Sequence, residues 1–242
     1  MDGVKLMDRT DTKYTFKADQ LPALLKLTEP HYKCLQIEGK VISHYQTLYY
    51  DTEEMTLYKK HHNGELNRYK IRHRTYVDSN MGYLEVKFKN NKGRTIKERI
   101  KQKVVGNEFN ETAIQFLSSE LPFNPNVLKP VVWVNYGRIT LVNKLTAERV
   151  TIDTGLQFVT DTKNITLDNL IIVEVKQDKK KRSPFIDAMK SMHIREGSIS
   201  KYCFAIAFTR NDVKKNNFKE KLFSLKHIIN YDTITDSYRG NN

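Results

Sequence analysis

Cysteine is nearly absent: Cys34 and Cys203 are the only two in 242 residues, too few for a disulfide framework or a cysteine-ligated zinc site. No apolar run approaches the ~18–20 residues that span a bilayer. The start, Met1-Asp2-Gly3-Val4-Lys5, has no apolar signal core, so secretion is not expected and a reducing, cytoplasmic setting is. Ten glycines and six prolines exclude a collagenous or low-complexity chain. There is no phosphate-cradling Gly-rich loop of Walker type, and no Ser–His–Asp set stands out. His61-His62 follows Lys59-Lys60 without a carboxylate or cysteine at ligand spacing, and reads as an exposed pair. Acidic residues are scarce beside basic ones, 28 Asp and Glu against 41 Lys and Arg, for a formal net charge of +13. Such a chain repels itself and attracts polyanions: nucleic acid, an anionic membrane surface or a phosphate-rich small ligand. Hydrophobic residues at 39% are enough for a sizeable core.

The placement of the bases narrows that choice. The densest run, Lys179-Lys180-Lys181-Arg182, precedes Ser183-Pro184, a loop-to-helix signal, and reads as a solvated loop. The other bases recur at spacing two: Arg9-x-Asp11-x-Lys13, Arg68-x-Lys70-x-Arg72-x-Arg74, Glu85-x-Lys87-x-Lys89, Lys97-x-Arg99-x-Lys101, Tyr136-x-Arg138, Arg149-x-Thr151-x-Asp153 and Glu174-x-Lys176. Two is the strand period, so each set lies on one face of a strand. The residues between are often apolar, as in Leu84, Val86 and Phe88 or Val173 and Val175, and give the opposite face something to bury. Like charges opposite each other on neighbouring strands repel, so adjacent single-sign stripes are strained unless an anion neutralises them.

Strands are expected at about 7–16, 41–50, 67–77, 82–89, 94–104, 131–142, 148–153 and 170–176, mostly joined by short turns. Helices are expected at 19–28, from an Asp51-x-x-Glu54 capping box to Gly64, at 111–119, after Ser183-Pro184, at 198–209 and at 212–229, with a frayed tail after Tyr231. No repeat or linker interrupts the chain, so one domain is expected, with a core over about 7–210. The predicted fold class is α+β: eight antiparallel strands closing into a barrel, apolar faces turned out to helices and basic faces lining the lumen. A basic lumen must be wet or hold a polyanion, because unpaired buried charge is costly.

These stretches resemble the VTC domain, the polyphosphate polymerase module of the triphosphate tunnel metalloenzyme (CYTH-like) superfamily. The motifs are Arg9-Thr-Asp-Thr-Lys13-Tyr14, Thr47-Leu-Tyr-Tyr-Asp51-Thr, Tyr69-Lys-Ile-Arg72-His-Arg74-Thr-Tyr76, Leu84-Glu-Val-Lys87, Lys97-Glu-Arg99, Tyr136-Gly-Arg138, Arg149-Val-Thr-Ile-Asp153, Glu174-Val-Lys176 and Ser198-Ile-Ser-Lys201-Tyr. They stand in the family's order over about residues 7 to 205. The resemblance implies an eight-stranded tunnel, a triphosphate or polyphosphate held by lumen bases, and Mn²⁺ or Mg²⁺. It is closest to a stand-alone bacterial member. The Glu-x-Glu-x-Lys start of the wider superfamily is missing; Arg9-x-Asp11-x-Lys13 stands there instead, as in the VTC branch and unlike adenylate cyclase or thiamine-triphosphatase relatives. Lys70 replaces an Arg of the eukaryotic members, which keeps the charge and loses the bidentate geometry.

On this reading phosphate is bound by Arg9, Lys13, Lys70, Arg72, Arg74, Lys87, Lys89, Arg99, Arg138, Arg149, Lys176, Ser198 and Lys201, with Arg72, Arg138 and Lys201 closest to the chemistry. The arginines grip oxygens in fork geometry, and the lysines act as point charges. Ser198 and Lys201 open a helix whose N-terminus favours anions. Glu174 is the first choice as metal ligand, with Glu85 and Asp153 weaker candidates that could instead orient arginines. Tyr14 and Tyr136 either flank the ligand or pack. The expected partners are ATP or another triphosphate and polyphosphate, with no specific nucleic acid and no transmembrane segment; the sequence carries no signature of oligomeric state. The expected activity is transfer of the γ-phosphate to a polyphosphate chain. Hydrolysis of the same triphosphate, or non-catalytic polyphosphate binding, are the alternatives.

Overall fold

Alternation of apolar and polar residues at period two builds one large antiparallel sheet. The computed structural model describes residues 9–103, 108–178, 182–197 and 200–229. Eight strands run in a continuous ladder in the spatial order β1 (Arg9–Lys17), β10 (Leu170–Asp178), β8 (Arg149–Val159), β7 (Lys129–Asn143), β3 (Ile42–Asp51), β4 (Arg68–Tyr76), β5 (Met81–Lys89) and β6 (Thr95–Lys101). These correspond to the eight expected from spacing. Two short strands join at the side, β2 (Tyr32–Cys34) on β7 and β9 (Asn164–Leu167) on β8. They are too short to show a period in the sequence. β8 also runs six residues past its expected end. Beside it the β7 register shifts between Asn135 and Gly137, and Gly155 takes φ 57°, open to glycine at little cost. That irregularity breaks the alternation and hides the continuation from Leu156 to Val159.

β1 and β6 end the path, and among the described residues no ladder joins them. The outer edge of β1 is instead covered by residues 196–197, through a bridge between Tyr14 and Glu196 and a bond from the Gly197 N–H to the Lys13 carbonyl at 2.8 Å.

The outward face carries helices as expected. Tyr14, Phe16, Val150, Ile152, Val173 and Val175 pack beneath α1 (Leu21–Thr28) and α4 (Pro184–Ser191), while Leu48, Tyr50, Ile71, Leu84 and Val86 pack beneath α3 (Glu111–Glu120). The concave face is not basic throughout. One end of it is apolar, with Tyr49, Val132, Val134 and Phe158 closed over by α5 (Lys201–Thr209) and α6 (Lys219–Ile229). Residues Tyr202 to Thr209 are all buried, which is how a helix apolar on every side must sit. Part of the lumen is therefore packed core rather than tunnel.

The helix after β3 begins later than expected. α2 spans Thr56–His62, and no Asp51–Glu54 capping box forms. Asp51, the last residue of β3 and fully buried, instead accepts from the backbone N–H groups of Leu57 (2.8 Å) and Tyr58 (2.9 Å) and from the Tyr202 hydroxyl of α5. It thereby fixes two helices to one strand end. His62 is buried, not exposed, and accepts from the Asn217 N–H; His61 is half-buried and donates to the Tyr69 carbonyl at 3.0 Å. Burial and the neighbouring Lys70 lower His61 to about 3. α6 begins at Lys219 rather than 212, and the residues after 229 lie outside the described ones.

Candidate functional site

The ladder registers decide which side chains share a face. β4 pairs with β5 as Lys70↔Lys87, Arg72↔Glu85 and Arg74↔Tyr83. β5 pairs with β6 as Glu85↔Arg99 and Lys87↔Lys97. β3 pairs with β4 as Thr47↔Arg74 and Tyr49↔Arg72, and with β7 as Tyr45↔Tyr136 and Ser43↔Arg138. β7 and β8 pair Arg138↔Asp153; β8 and β10 pair Thr151↔Glu174 and Arg149↔Lys176; β10 and β1 pair Glu174↔Lys13. Partners across a ladder point to the same side, so the expected bases, carried by seven of the eight strands, lie on the concave face, and β3 lines it with Tyr45, Thr47 and Tyr49. The sheet then rolls far enough for opposite walls to meet. Lys87 of β5 and Lys201 of α5 both act on Glu174 of β10, and Lys13 of β1 acts on Lys70 of β4.

Three carboxylates organise these cations, each shared by two of them. Glu85, with no exposed surface, takes Arg72 (2.6 Å from Nε) and Lys97. Asp153 takes Arg138 in a fork, 2.6 and 2.9 Å from Nε and Nη2, and Lys201. Glu174 lies 3.8 Å from Lys13 and 3.3 Å from Lys176, which also reaches Asp11 at 3.1 Å. Burial alone would raise these carboxyls. The paired cations override it, holding Asp153 and Glu174 at about 2 and Glu85 below the ordinary carboxylate range.

Three further bases feel these carboxylates at most from a distance. Among the described residues Lys70, Arg74 and Lys87 belong to no ion pair. Lys70 donates to Ser200 Oγ at 2.8 Å, and Arg74 lies 5.4 Å from the centre of the Tyr45 ring. Arg72, followed by desolvation, pushes the Lys87 ammonium well below the usual lysine value, and desolvation lowers Lys70. Among the described residues, Thr47 Oγ1, Arg74 Nε, Tyr136 Oη and Thr151 Oγ1, all on concave-facing positions, are buried without a hydrogen-bond partner. Buried polar groups are normally partnered, and each orphan costs about 1–3 kcal/mol. Cations in excess and donors left open are what a polyanion with many oxygens satisfies.

The remaining expected residues fall into place around this centre or away from it. Arg149 and Lys89 are exposed at the ends of their strands, and Arg99 lies at the rim with its guanidinium 4.5 Å over the Tyr83 ring. Arg9 stands on β1 opposite Asp178, its side chain outside the described residues. Ser198 lies outside the described residues, as do Lys179, Lys180 and Lys181; Arg182 is exposed and pairs with Asp187. Tyr14 packs in the outer core, whereas Tyr136 is on the concave face, with Arg138 and Lys201 about its ring at 5.2 and 4.9 Å. Three contributors escaped the sequence reading of the site. Lys97 shares its stripe with Arg99. Tyr45, which bears Arg74 and Arg138 on its ring, shares spacing two with Thr47 and Tyr49. Ser200 caps α5 by accepting from the Cys203 N–H, and only its position before the helix marks it.

The three expected metal ligands differ in what already holds them. No group of three His, Cys, Asp or Glu capable of holding an ion stands among the described residues. Glu85 and Asp153 are each held by an arginine and a lysine, which makes them anchors for those cations, whereas Glu174 faces lysines alone, at the longer distances of 3.3 and 3.8 Å. Glu174 is partly exposed. One carboxylate completed by phosphate oxygens fits the way Mg²⁺ is held beside phosphates.

Comparison with known proteins agrees with this geometry. The family model of the VTC domain matches residues 8–210. No curated protein matches the chain. Among solved structures, a candidate adenylate cyclase from Bacillus halodurans is similar at TM-score 0.53 and 11% identity, over 80% of this chain and 94% of that one. A candidate adenylyl cyclase from Hippeastrum, whose dominant activity is that of a triphosphatase, is similar at TM-score 0.52 and 11% identity, over 84% and 98%. At such identity the likeness concerns the fold. Among the described residues no helix is long and apolar enough to cross a membrane.

Proposed function

The chain belongs to the VTC domain family, and from that premise we propose that it is a polyphosphate polymerase-like phosphotransferase that binds a nucleoside triphosphate in its basic tunnel. The observation that carries this reading is the surplus of cations left on the concave face, Lys70, Arg74 and Lys87 among them, after Glu85, Asp153 and Glu174 have each been shared by two cations and Asp11 has taken Lys176.

Phosphoryl transfer needs positioning and charge neutralisation more than covalent help from the protein. Arg72 and Arg138, their planes fixed by Glu85 and Asp153, offer their remaining N–H groups to phosphate oxygens in fork geometry. Lys201 stands beside Arg138 on the same carboxylate and meets charge developing on the transferred group. Lys13, Lys70, Lys87 and Lys176 hold the rest of the chain of phosphates. In the reaction the bond from the γ-phosphorus to the bridging oxygen breaks. A terminal oxygen of polyphosphate forms the new bond, and nucleoside diphosphate leaves. Mn²⁺ or Mg²⁺, held by Glu174 together with phosphate oxygens, would add Lewis acidity.

The test is incubation of the pure protein with ATP and Mn²⁺ or Mg²⁺, followed by a polyphosphate-stained gel and a phosphate assay. Polymer with matching loss of ATP supports the reading. Free phosphate without polymer replaces it with a triphosphatase. Tight binding that persists in Glu174→Ala, with no turnover in either form, replaces it with a binding module.

A further inference from the structure

The open mouth of the tunnel has two unlike sides. On the β8–β10–β1 side the concave positions are charged, with Arg149, Lys176 and its partner Asp11, and Lys13, while aromatic residues such as Tyr14 and Phe16 are turned to the outer core. On the β3–β4–β5 side they carry Tyr45, Tyr76, Met81 and Tyr83. The rings of that side touch one another: Tyr76 lies 5.0 Å from Tyr45 and 5.9 Å edge-on from Tyr83. Tyr45 already carries Arg74 and Arg138, and Tyr83 carries Arg99. Among the described residues no cation stacks on Tyr76. It is half-buried, pairs across the ladder with Met81, and is followed by Val77; Met81 is 38% and Val77 43% exposed. An aromatic and thioether surface open to solvent has no use for an inorganic phosphate chain, which is all charge. A flat base joined to a charged tail matches it, because base–aromatic stacking requires only a π-face and a methionine adapts its shape to what lies against it.

We propose that Tyr76 is the nucleobase-stacking residue of this site, seating the base against Tyr76 and Met81 while the triphosphate runs inward over Arg74 and Arg138. This rests on the tunnel reading above and adds which wall of the mouth holds the base of the nucleoside triphosphate.

The experiment is calorimetric titration of the full chain with ATP and, separately, with inorganic tripolyphosphate. Tyr76→Ala should weaken ATP by about ten-fold or more, the loss of one stacked base, and leave tripolyphosphate within about two-fold. Tyr76→Phe, which keeps the ring, should restore ATP binding. Tyr76→Leu, which keeps apolar volume without a π-face, should behave as the alanine variant does and serves if that one is poorly folded. Equal weakening of both ligands makes Tyr76 a support for the arginines and overturns the proposal, as does unchanged ATP binding. A wild-type chain that binds neither ligand overturns the tunnel reading, and this inference with it.

Discussion

Replacing Asp153 by Asn keeps the shape of the side chain and removes its charge, at a site where the consequence can be worked out. The carboxylate is 2% exposed and accepts from Arg138 at 2.6 and 2.9 Å as well as from Lys201. Its pKa falls from 3.8 to about 2. That shift favours the charged over the neutral carboxyl by roughly 2 kcal/mol, and a neutral amide forfeits at least that. The amide also leaves a buried guanidinium and ammonium without their anion, which brings the expected loss at pH 7 to about 3–5 kcal/mol. Urea denaturation of both proteins measures it. The pH dependence supplies a second check. Because the folded-state pKa lies below the unfolded one, the contribution is fully present above about pH 5 and lost as pH falls through 2. The gap between wild type and Asp153→Asn should thus hold from pH 5 to 8 and narrow by about 1 kcal/mol by pH 3. A gap under about 1 kcal/mol at pH 7, or one that does not narrow, would refute the idea that Asp153 holds these two cations.

Other perturbations report on neighbouring parts. Arg72→Ala should weaken tripolyphosphate about a hundred-fold, as expected for loss of charged hydrogen bonds; an unchanged dissociation constant and kcat/KM would put Arg72 outside the site. Glu174→Gln should abolish stimulation of turnover by Mn²⁺ or Mg²⁺ while tripolyphosphate binding without metal stays the same or tightens, and a metal response equal to wild type would remove Glu174 as the ligand. Ser200→Ala deletes the α5 cap and the acceptor of Lys70. It should cost about 1 kcal/mol and lower Tm by about 2–4 °C; an unmoved Tm in a thermal melt contradicts that role.

The strand faces were legible because the bases repeat at the one spacing that a strand converts into a face. Arg68, Lys70, Arg72 and Arg74 could only fall together once that segment was extended, and the apolar residues between them fixed which side was outward. The pairing of each carboxylate was not legible, since it depends on register: nothing in Glu85-x-Lys87 tells that Glu85 reaches Arg72 on one neighbour and Lys97 on the other. The plug of the lumen was equally hidden. Val132 and Val134 look like an outward face until α5, apolar on all sides, occupies the concave one. Asp51 followed the spacing of a local cap, and the long-range hydroxyl of Tyr202 took part of its bonding instead.

Register also explains why so basic a sheet holds together before any anion arrives. Lys70, Lys87 and Lys97 lie side by side across β4, β5 and β6, an arrangement of like charges that neighbouring strands resist. Glu85 sits one row along and reaches diagonally to Lys97 while holding Arg72, so the row is restrained by a charge from its neighbour. Asp153 and Glu174 do the same on the opposite wall with Arg138, Lys201, Lys13 and Lys176. Glu85 and Asp153 each carry one unit of charge against two, Asp11 adds a second carboxylate only at Lys176, and Lys70 and Lys87 have none, so the restraint is not complete. A carboxylate for every cation would stabilise the sheet further and leave nothing for a phosphate to neutralise. Stability of the free chain and affinity for a polyanion therefore draw on the same charges in opposite directions. Two cations to one carboxylate keeps the arginines oriented and leaves positive charge on the concave face for a phosphate to neutralise.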